Sequence, residues 1–446
     1  MIYSRHLTSN VRQILTGSHP WGSLVEQIAF GPFCLDVAST RLTREGVELA
    51  LRPRAFHALK TLLHNSGRHV DYEQMLREAW EGNTVSRHTV AVTIGEVKKV
   101  LRECGSWISY RPKLGYRLEV PQSDDLIRKA WHFWKRLTRD GFEKALDCFQ
   151  RAALEDSADP RAFEGSSLTY LTLGAAGMKP PRDMSRAFLE AHNQAVALAG
   201  LTPELRSDRG HGLHIFEHRM DEAEAELQQS LRERQWVTTY LRLTMLYIAD
   251  GRLDAAVEIL NEAYGVDALD PMLPVMEINV RFCRREFERA VACGRKALEL
   301  HPYVQFAPAF YAQALEYAGH AREALEQYRR ASLLSPDLPW VRALEGACMA
   351  RNGRRPQALR ILDELQRLRA AEYVDAYYLA LLLDAIGDRD EAFRELERAR
   401  EENSSAMHIL HIDPKMDSLR QDPRWERLRQ QLPGGAALPQ TVGSAA

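Results

Sequence analysis

Tyr110 to Val120 reads YRPKLGYRLEV, two short β-like runs around a basic hinge. Pro112 presets φ for a tight turn and Gly115 is suited to a positive φ, so the stretch predicts a β-hairpin. Arg111, Lys113 and Arg117 lie on or beside the turn, whereas Tyr116 is expected in the hairpin core. Directly upstream, SRHTVAVTIGEVKKVLREC (Ser86 to Cys104) predicts a helix capped by Ser86. On a 3.6-residue wheel Val90, Ile94, Val97 and Leu101 form one narrow apolar stripe, the expected core face. The opposite face carries His88, Thr89, Val92, Glu96 and Lys99, with Gly95, Lys98 and Arg102 flanking. Ser86 to Pro121 holds seven Lys/Arg against three Asp/Glu, whereas residues 28 to 85 hold seven of each. Positive charge is thus gathered on this helix and hairpin, where phosphates would lie if the pair gripped a nucleic acid.

Further upstream, IAFGPFCLDV and TRLTREGVELAL predict short strands, with a turn at Glu45-Gly46. RPRAFHALKTLLHNSG predicts a helix with Pro53 in its first turn, an apolar stripe of Phe56, Leu59, Leu62 and Leu63, and Gly67 past its end. DYEQMLREAW predicts a second helix with Asp71 as N-cap. Strands, three helices and a hairpin within residues 28–121 make one small α+β domain of ordinary size. Residues 1–27 are an extension whose structure the sequence does not define.

After the joint PQSDD the chain changes texture. DGFEKALDCFQRA, GRLDAAVEILNEA, REFERAVACGRKA, GHAREALEQYRRA, GRRPQALRILDEL and GDRDEAFRELERA share an alanine at 145, 256, 290, 324, 358 and 392. Weaker copies place it at 187 and 223, and from 223 onward the gaps are 33, 34, 34, 34 and 34. Ala312, Gly346 and Ala380 stand twelve residues before three of these alanines. Small residues in both helices of a pair let them pack closely, and helix–turn–helix accounts for the period. An α-solenoid of seven or eight helix pairs is expected over 126–400. A capping segment follows at 401–432, ending in HIDPKMDSLRQDPRWERLRQQL (411–432), and a tail expected to be disordered at 433–446.

The 446 residues are 45% hydrophobic and 27% charged with net charge -2, typical of a globular protein and uninformative about partners. No run of 18 apolar residues is present, so no membrane span is expected. The start lacks the apolar core of a secretory signal. Six scattered cysteines (34, 104, 148, 283, 293, 348) without a C-x-x-C pair suggest reduced thiols and a cytoplasmic setting. H-E-x-x-H, G-x-S-x-G, Walker and dinucleotide motifs are all missing, so no catalytic residue, cofactor or enzyme activity is assigned. His211, His214 and His218 in GHGLHIFEH fall on one helix face at a spacing metals use. No Cys and no suitably spaced carboxylate completes the set locally, and the repeat register makes His211 and His214 packing residues, so no metal is assigned.

The residues from LALRPRAFHALKTLLHNSGRHV through SRHTVAVTIGEVKKVL to YRPKLGYRLEV resemble the OmpR/PhoB-type winged-helix domain, in particular the ToxR/CadC/HilA-like branch of bacterial transcription regulators. The 34-residue units resemble tetratricopeptide repeats, and Pro302 and Pro336 fall where that family breaks into the next helix. The resemblance implies a recognition helix entering the major groove of double-stranded DNA and a wing on the adjacent backbone. It assigns DNA contact to Arg87, His88, Thr89, Val92, Thr93, Glu96, Lys98 and Lys99 on the helix and Arg111, Lys113 and Arg117 on the wing. Gly95 and Glu96 depart from the family, which commonly carries basic residues there. Glu96 would repel phosphate or pair with Lys99 along its own helix. The 27 preceding residues are too few for a phosphoacceptor domain, so control by aspartyl phosphorylation in cis is not expected.

By repeat register the concave side of the array is lined by Thr238, Leu241, Met245, Met272, Val275, Asn279, Phe306, Gln313, Trp340 and Tyr377. This apolar groove with occasional polar groups suits a protein, a peptide or a small ligand. It lacks the Lys/Asn/Arg set with which chaperone-binding members of the repeat family hold a terminal carboxylate. The expectation is a transcription regulator in which a signal received by the array changes dimerisation or domain docking, a homodimer remaining open. The alternative is an interaction scaffold with a degenerate winged helix.

Overall fold

The computed structural model describes residues 4–431 except 9–10, 18–23, 45, 121, 303 and 305, with side chains described from residue 27 on, excluding also those of 103 and 122. The turn expected at Glu45 therefore lies partly outside the described residues, as does the expected tail at 433–446. The chain forms two compact units, Met1–Phe133 with Ala145–Ala162, and Trp134–Lys144 with the chain from Phe163 onward.

The first unit opens with an antiparallel meander of β1 (Ser4–Thr8), β2 (Val11–Gly17), β3 (Leu24–Phe30), β4 (Phe33–Asp36), β5 (Arg41–Arg44) and β6 (Val47–Leu49). The first two strands fall in the stretch that the sequence leaves undefined. Three helices follow: α1 (Pro53–His64), α2 (Tyr72–Ala79) and α3 (Arg87–Leu101). A second sheet has the order β7-β9-β8, from β7 (His69–Val70), β8 (Ile108–Arg111) and β9 (Gly115–Leu118). The caps fall where the sequence puts them. Asp71 accepts from the Gln74 amide at 2.8 Å and Ser86 from the Thr89 amide at 3.0 Å. One core joins the two sheets and the helices: Ile28, Phe30, Phe33 and Leu35 from the meander, Phe56, Leu59 and Leu62 from α1, Val90, Ile94, Val97 and Leu101 from α3, and Ile108 and Leu118 from the hairpin. The unit also takes in the joint to the repeats. Asp124 is buried and its carboxylate meets the Arg161 guanidinium at 2.7 Å, which also holds Asp159 at 2.6 Å.

Eight helix pairs then run in sequence: α4 (Gln122–Trp134) with α5 (Arg139–Glu155), α6 (Pro160–Ala175) with α7 (Pro181–Ala199), α8 (Pro203–Ile215) with α9 (Met220–Glu233), α10 (Val237–Ala249) with α11 (Leu253–Val266), α12 (Met272–Cys283) with α13 (Phe287–Leu300), α14 (Ala307–Tyr317) with α15 (Ala321–Leu334), α16 (Pro339–Arg351) with α17 (Arg355–Arg369), and α18 (Ala376–Ile386) with α19 (Arg389–Glu401). The repeat alanines at 145, 223, 256, 290, 324, 358 and 392 are wholly buried and Ala187 partly so. Gly346 shows why the position twelve residues earlier is small. A Cβ there would stand 2.9 Å from Leu382 Cδ1 and 3.1 Å from Ile361 Cγ2. Two short helices, α20 (Asp417–Arg420) and α21 (Arg424–Gln430), close the described chain.

At the hairpin turn the Leu114 amide donates to the Arg111 carbonyl at 3.2 Å, and Lys113 has φ +68, the third position of a type II turn. Gly115 has φ +95, and a Cβ there would lie 2.1 Å from the Val70 carbonyl oxygen. Gly115→Ala is therefore expected to destabilise the first unit by about 2 kcal/mol or more, read as a lowered unfolding midpoint and faster hydrogen exchange of β8 and β9.

Candidate nucleic-acid interface and repeat groove

Helix α3 presents the two faces its sequence predicts. Val90, Ile94, Val97 and Leu101 are buried, while Arg87, His88, Thr89, Val92 and Lys99 are exposed and Thr93, Glu96 and Lys98 partly covered. Val92 is 57% exposed, an apolar side chain on an otherwise polar surface, as contact with a thymine methyl would require. Gly95 faces open space, with no atom within 4 Å of where its Cβ would be. Lys98 and Lys99 lie in the last turn, where they also complement the helix dipole. Arg87 is partly engaged, with its guanidinium 4.8 Å from the centre of the Tyr72 ring. The Thr93 hydroxyl donates to the Thr89 carbonyl at 2.9 Å, and the Thr89 hydroxyl is 2.9 Å from that of Ser86.

Glu96 has a different partner from the one expected. Its carboxylate accepts from the Arg52 amide at 3.4 Å and lies 3.8 Å from the Arg52 Nε, at the N-terminus of α1. That end of α1 carries partial positive charge and has no side-chain cap of its own, so the carboxylate gains more there than beside Lys99. Arg52 remains 84% exposed in its side chain, a cation beside the outward face of α3. On the wing, Arg111, Pro112, Lys113 and Leu114 are exposed, and Tyr110 and Tyr116 pack with ring centres 4.9 Å apart. Arg117 is only partly exposed and pairs with Glu119 at 2.8 Å. Lys98, Lys99, Arg111 and Lys113 make no ion pair among the described residues.

In the array, part of the expected groove, at Tyr377 and Gln313, is occupied by the chain itself. The Tyr377 hydroxyl donates to Asp413 at 2.7 Å, and the Lys415 ammonium donates to Gln313 Oε1 at 2.9 Å. Asn403 donates to the Phe216 carbonyl at 2.7 Å, Ser404 to Asp375 at 2.8 Å and Ser405 to the Ala175 carbonyl at 3.2 Å. Gln313, Trp340, Tyr377 and Val275 are buried, and Thr238, Leu241, Met245, Met272, Asn279 and Phe306 are partly covered. Trp340 packs between Phe310 and Tyr378, with ring centres 6.3 and 5.5 Å away. The segment after α19 therefore does more than cap the last repeat. Capping falls to α21, whose Arg424 lies 4.3 Å from the Phe393 ring centre and 2.7 Å from Asp390, while residues 404–420 run along the earlier repeats.

His211 and His214 are buried packing residues of α8, and the His214 ring lies 4.8 Å from that of His408. Among the described residues no group of three or more His, Cys, Asp or Glu is placed to hold a metal ion. Burial holds all these imidazoles neutral. It drives His211 and His214 well below the ordinary value, with Arg242 adding to the effect at His211 and His408 at His214. It lowers His408 to about 3 and His411 to about 4, with the neighbouring His218 and Arg420 contributing respectively. Between the ordinary value of about 6.5 and these folded values the unfolded chain binds more protons, so stability is full above about pH 6.5 and is lost as pH falls. The thermal midpoint is expected to fall between pH 6.5 and 4, less steeply in a His408→Asn, His411→Asn variant than in the wild type; equal slopes would show that these two groups do not carry the effect.

Residues 46–118 match the family model described as "Transcriptional regulatory protein, C terminal". The chain is 26% identical over 98 residues to the transcriptional activator CadC of Escherichia coli (strain K12), a match spanning 21% of this chain and 19% of that protein. Among solved structures it is similar to a human IFIT1 dimer with PPP-AAAA (16% identity, 74% of this chain, 85% of that one, TM-score 0.47). It is also similar to a thermophilic tetratricopeptide protein of Thermus thermophilus (20% identity, 43% of this chain, 98% of that one, TM-score 0.37). No described helix is long and apolar enough to cross a membrane. By its match, its caps and its wing, residues 46–118 form an OmpR/PhoB-type winged-helix domain, joined in this chain to an array of tetratricopeptide helix pairs.

Proposed function

We propose that the chain is a transcription regulator whose residues 28–121 dock on double-stranded DNA and whose array at 126–400 receives the controlling protein, peptide or ligand. The observation that carries the reading is a difference in how cations are used. Array arginines are largely spent on carboxylates, as in Arg206 with Glu226 at 3.0 Å, Arg369 with Glu395 at 2.7 Å and the buried pair of Arg242 with Asp208 at 2.7 Å. Lys98, Lys99, Arg111 and Lys113 are left unneutralised on the helix and turn that a winged helix applies to DNA. Phosphate is the anion that such an arrangement suits. His88, Thr89 and Val92 are the residues proposed to reach base edges, Arg87 and Thr93 being tied to Tyr72 and to backbone. Arg117, paired with Glu119, is a weaker candidate than its two neighbours on the turn.

The pairing of Glu96 with Arg52 bears on the scaffold alternative. A carboxylate held by an exposed arginine does not impose its full charge on an approaching phosphate, so its presence is compatible with DNA binding. Affinity for duplex DNA is expected to fall steeply with salt, and the Lys99→Ala, Arg111→Ala, Lys113→Ala triple variant to lower the log–log salt slope by about 2 to 3. Titration of the full chain with labelled duplex over a salt series reads both. A full chain that binds no duplex at low salt would favour the scaffold. In the same assay Arg52→Ala is expected to weaken binding several-fold, because it removes a cation and exposes Glu96, whereas Glu96→Gln strengthens it.

A further inference from the structure

The stretch between α19 and α21 is seated in the array as a bound peptide would be. Its backbone is irregular, with 3-10 turns at Ser405–Ile409 and Pro414–Met416 and only four residues of α-helix. It is held by side chains of three first helices, Phe282 of α12, Gln313 of α14 and Tyr377 of α18, and by the carbonyls of Ala175 and Phe216. At its centre stands Asp413-Pro414-Lys415. Asp413 and Lys415 are buried and pair with each other at 2.9 Å, and the Lys415 amide closes the turn on Asp413 Oδ1 at 2.9 Å. The groove answers each charge separately. The Tyr377 hydroxyl meets the carboxylate, while Gln313 Oε1 and the face of Phe282, 4.9 Å from the Lys415 Nζ, meet the ammonium. Arg285 of the repeat edge holds Asp417 at 2.8 Å.

We propose that this groove is a binding site for an acidic–proline–basic turn, and that residues 404–420 are the chain's own occupant, which a partner protein presenting the same kind of turn replaces. Exchange rather than evacuation is the step, since the incoming turn covers the apolar surface that the segment leaves. The tethers allow it. Arg424 anchors α21 on Asp390 and Phe393 of the last pair, so the stretch can leave as a loop fixed at both ends. A buried ion pair also suits recognition better than permanent closure, because an apolar pair of equal volume would hold the segment at least as firmly. The inference rests on the array serving as the receiving half of the chain and is independent of DNA binding.

A fluorescein-labelled peptide of residues 404–420 is titrated with the full chain and with the full chain carrying Lys415→Ala, which weakens the resident copy. The peptide is expected to bind the variant at least tenfold more tightly than the wild type, and a peptide bearing the same substitution to bind the variant at least tenfold more weakly. Binding to neither chain, or equal binding of the two peptides, overturns the proposal. Hydrogen exchange on the wild-type chain guards against a misfolded variant. Amides of Leu410 and Met416 are expected to exchange at least tenfold faster than those of α16, and exchange at the α16 rate would mean a segment that never leaves. Neither readout involves DNA, so a chain inert toward duplex leaves both tests intact.

Discussion

Close approach of paired helices is the constraint on which most of this molecule depends. An alanine in the second helix of each pair, wholly buried in all but the second, and a small residue in the first helix of the later ones bring the two axes near enough for larger side chains to interlock around them. The 34-residue spacing of the later repeats is the length of one such helix–turn–helix unit. From Ala256 onward each pair repeats the same 34-residue offset, so the first helices of these later pairs present equivalent positions. The pairs need no polar pattern at those positions, and the chain is able to place there whatever the function requires.

What it places there is its own polypeptide. Leu410, Met416 and Leu419 are fully buried, and at roughly 1.5 to 3 kcal/mol for each such side chain the segment contributes appreciably to the array's stability. The same stretch buries Asp413 and Lys415 and half-buries two histidines whose pKa values are held low, which no stability argument favours. A lining made only for firmness would be apolar throughout. Polar groups in the middle of an apolar interface fix one register and one sequence, and that selectivity is what a binding groove needs.

The parts legible in the sequence are those set by neighbours in the chain. The caps at Asp71 and Ser86, the stripe from Val90 to Leu101 and the turn around Gly115 all depend on residues a few positions apart, and the repeat alanines declare themselves by recurrence. The partner of Glu96 was not legible, because Arg52 lies 44 residues away and only the packing of α1 on α3 brings them together. Strands β1 and β2 escaped for a related reason, since an antiparallel edge is defined by the strand it joins. Residues 404–420 have neither helical nor strand periodicity, so their path along the groove left no pattern to find. The one signal was compositional: HIDPKMD sets charges around a proline among apolar residues, which is unusual for a segment that only caps a helix.

The joint between the two kinds of structure decides how a change in the array could matter to the winged helix. By sequence the joint PQSDD is polar and only a few residues long, too short to let the two halves wander far apart. In the first unit Ser123, Asp124 and Asp125 are instead buried, and burial raises the Asp124 carboxyl while Arg161 opposes the rise. A carboxylate removed from water must keep its cation, so Asp124, Arg161 and Asp159 stay together. The start of α4 and the start of α6 are thereby fixed within the same compact unit as the meander and α3. The first turns of α4 and α6 are therefore part of the winged-helix unit itself, held there by buried charge.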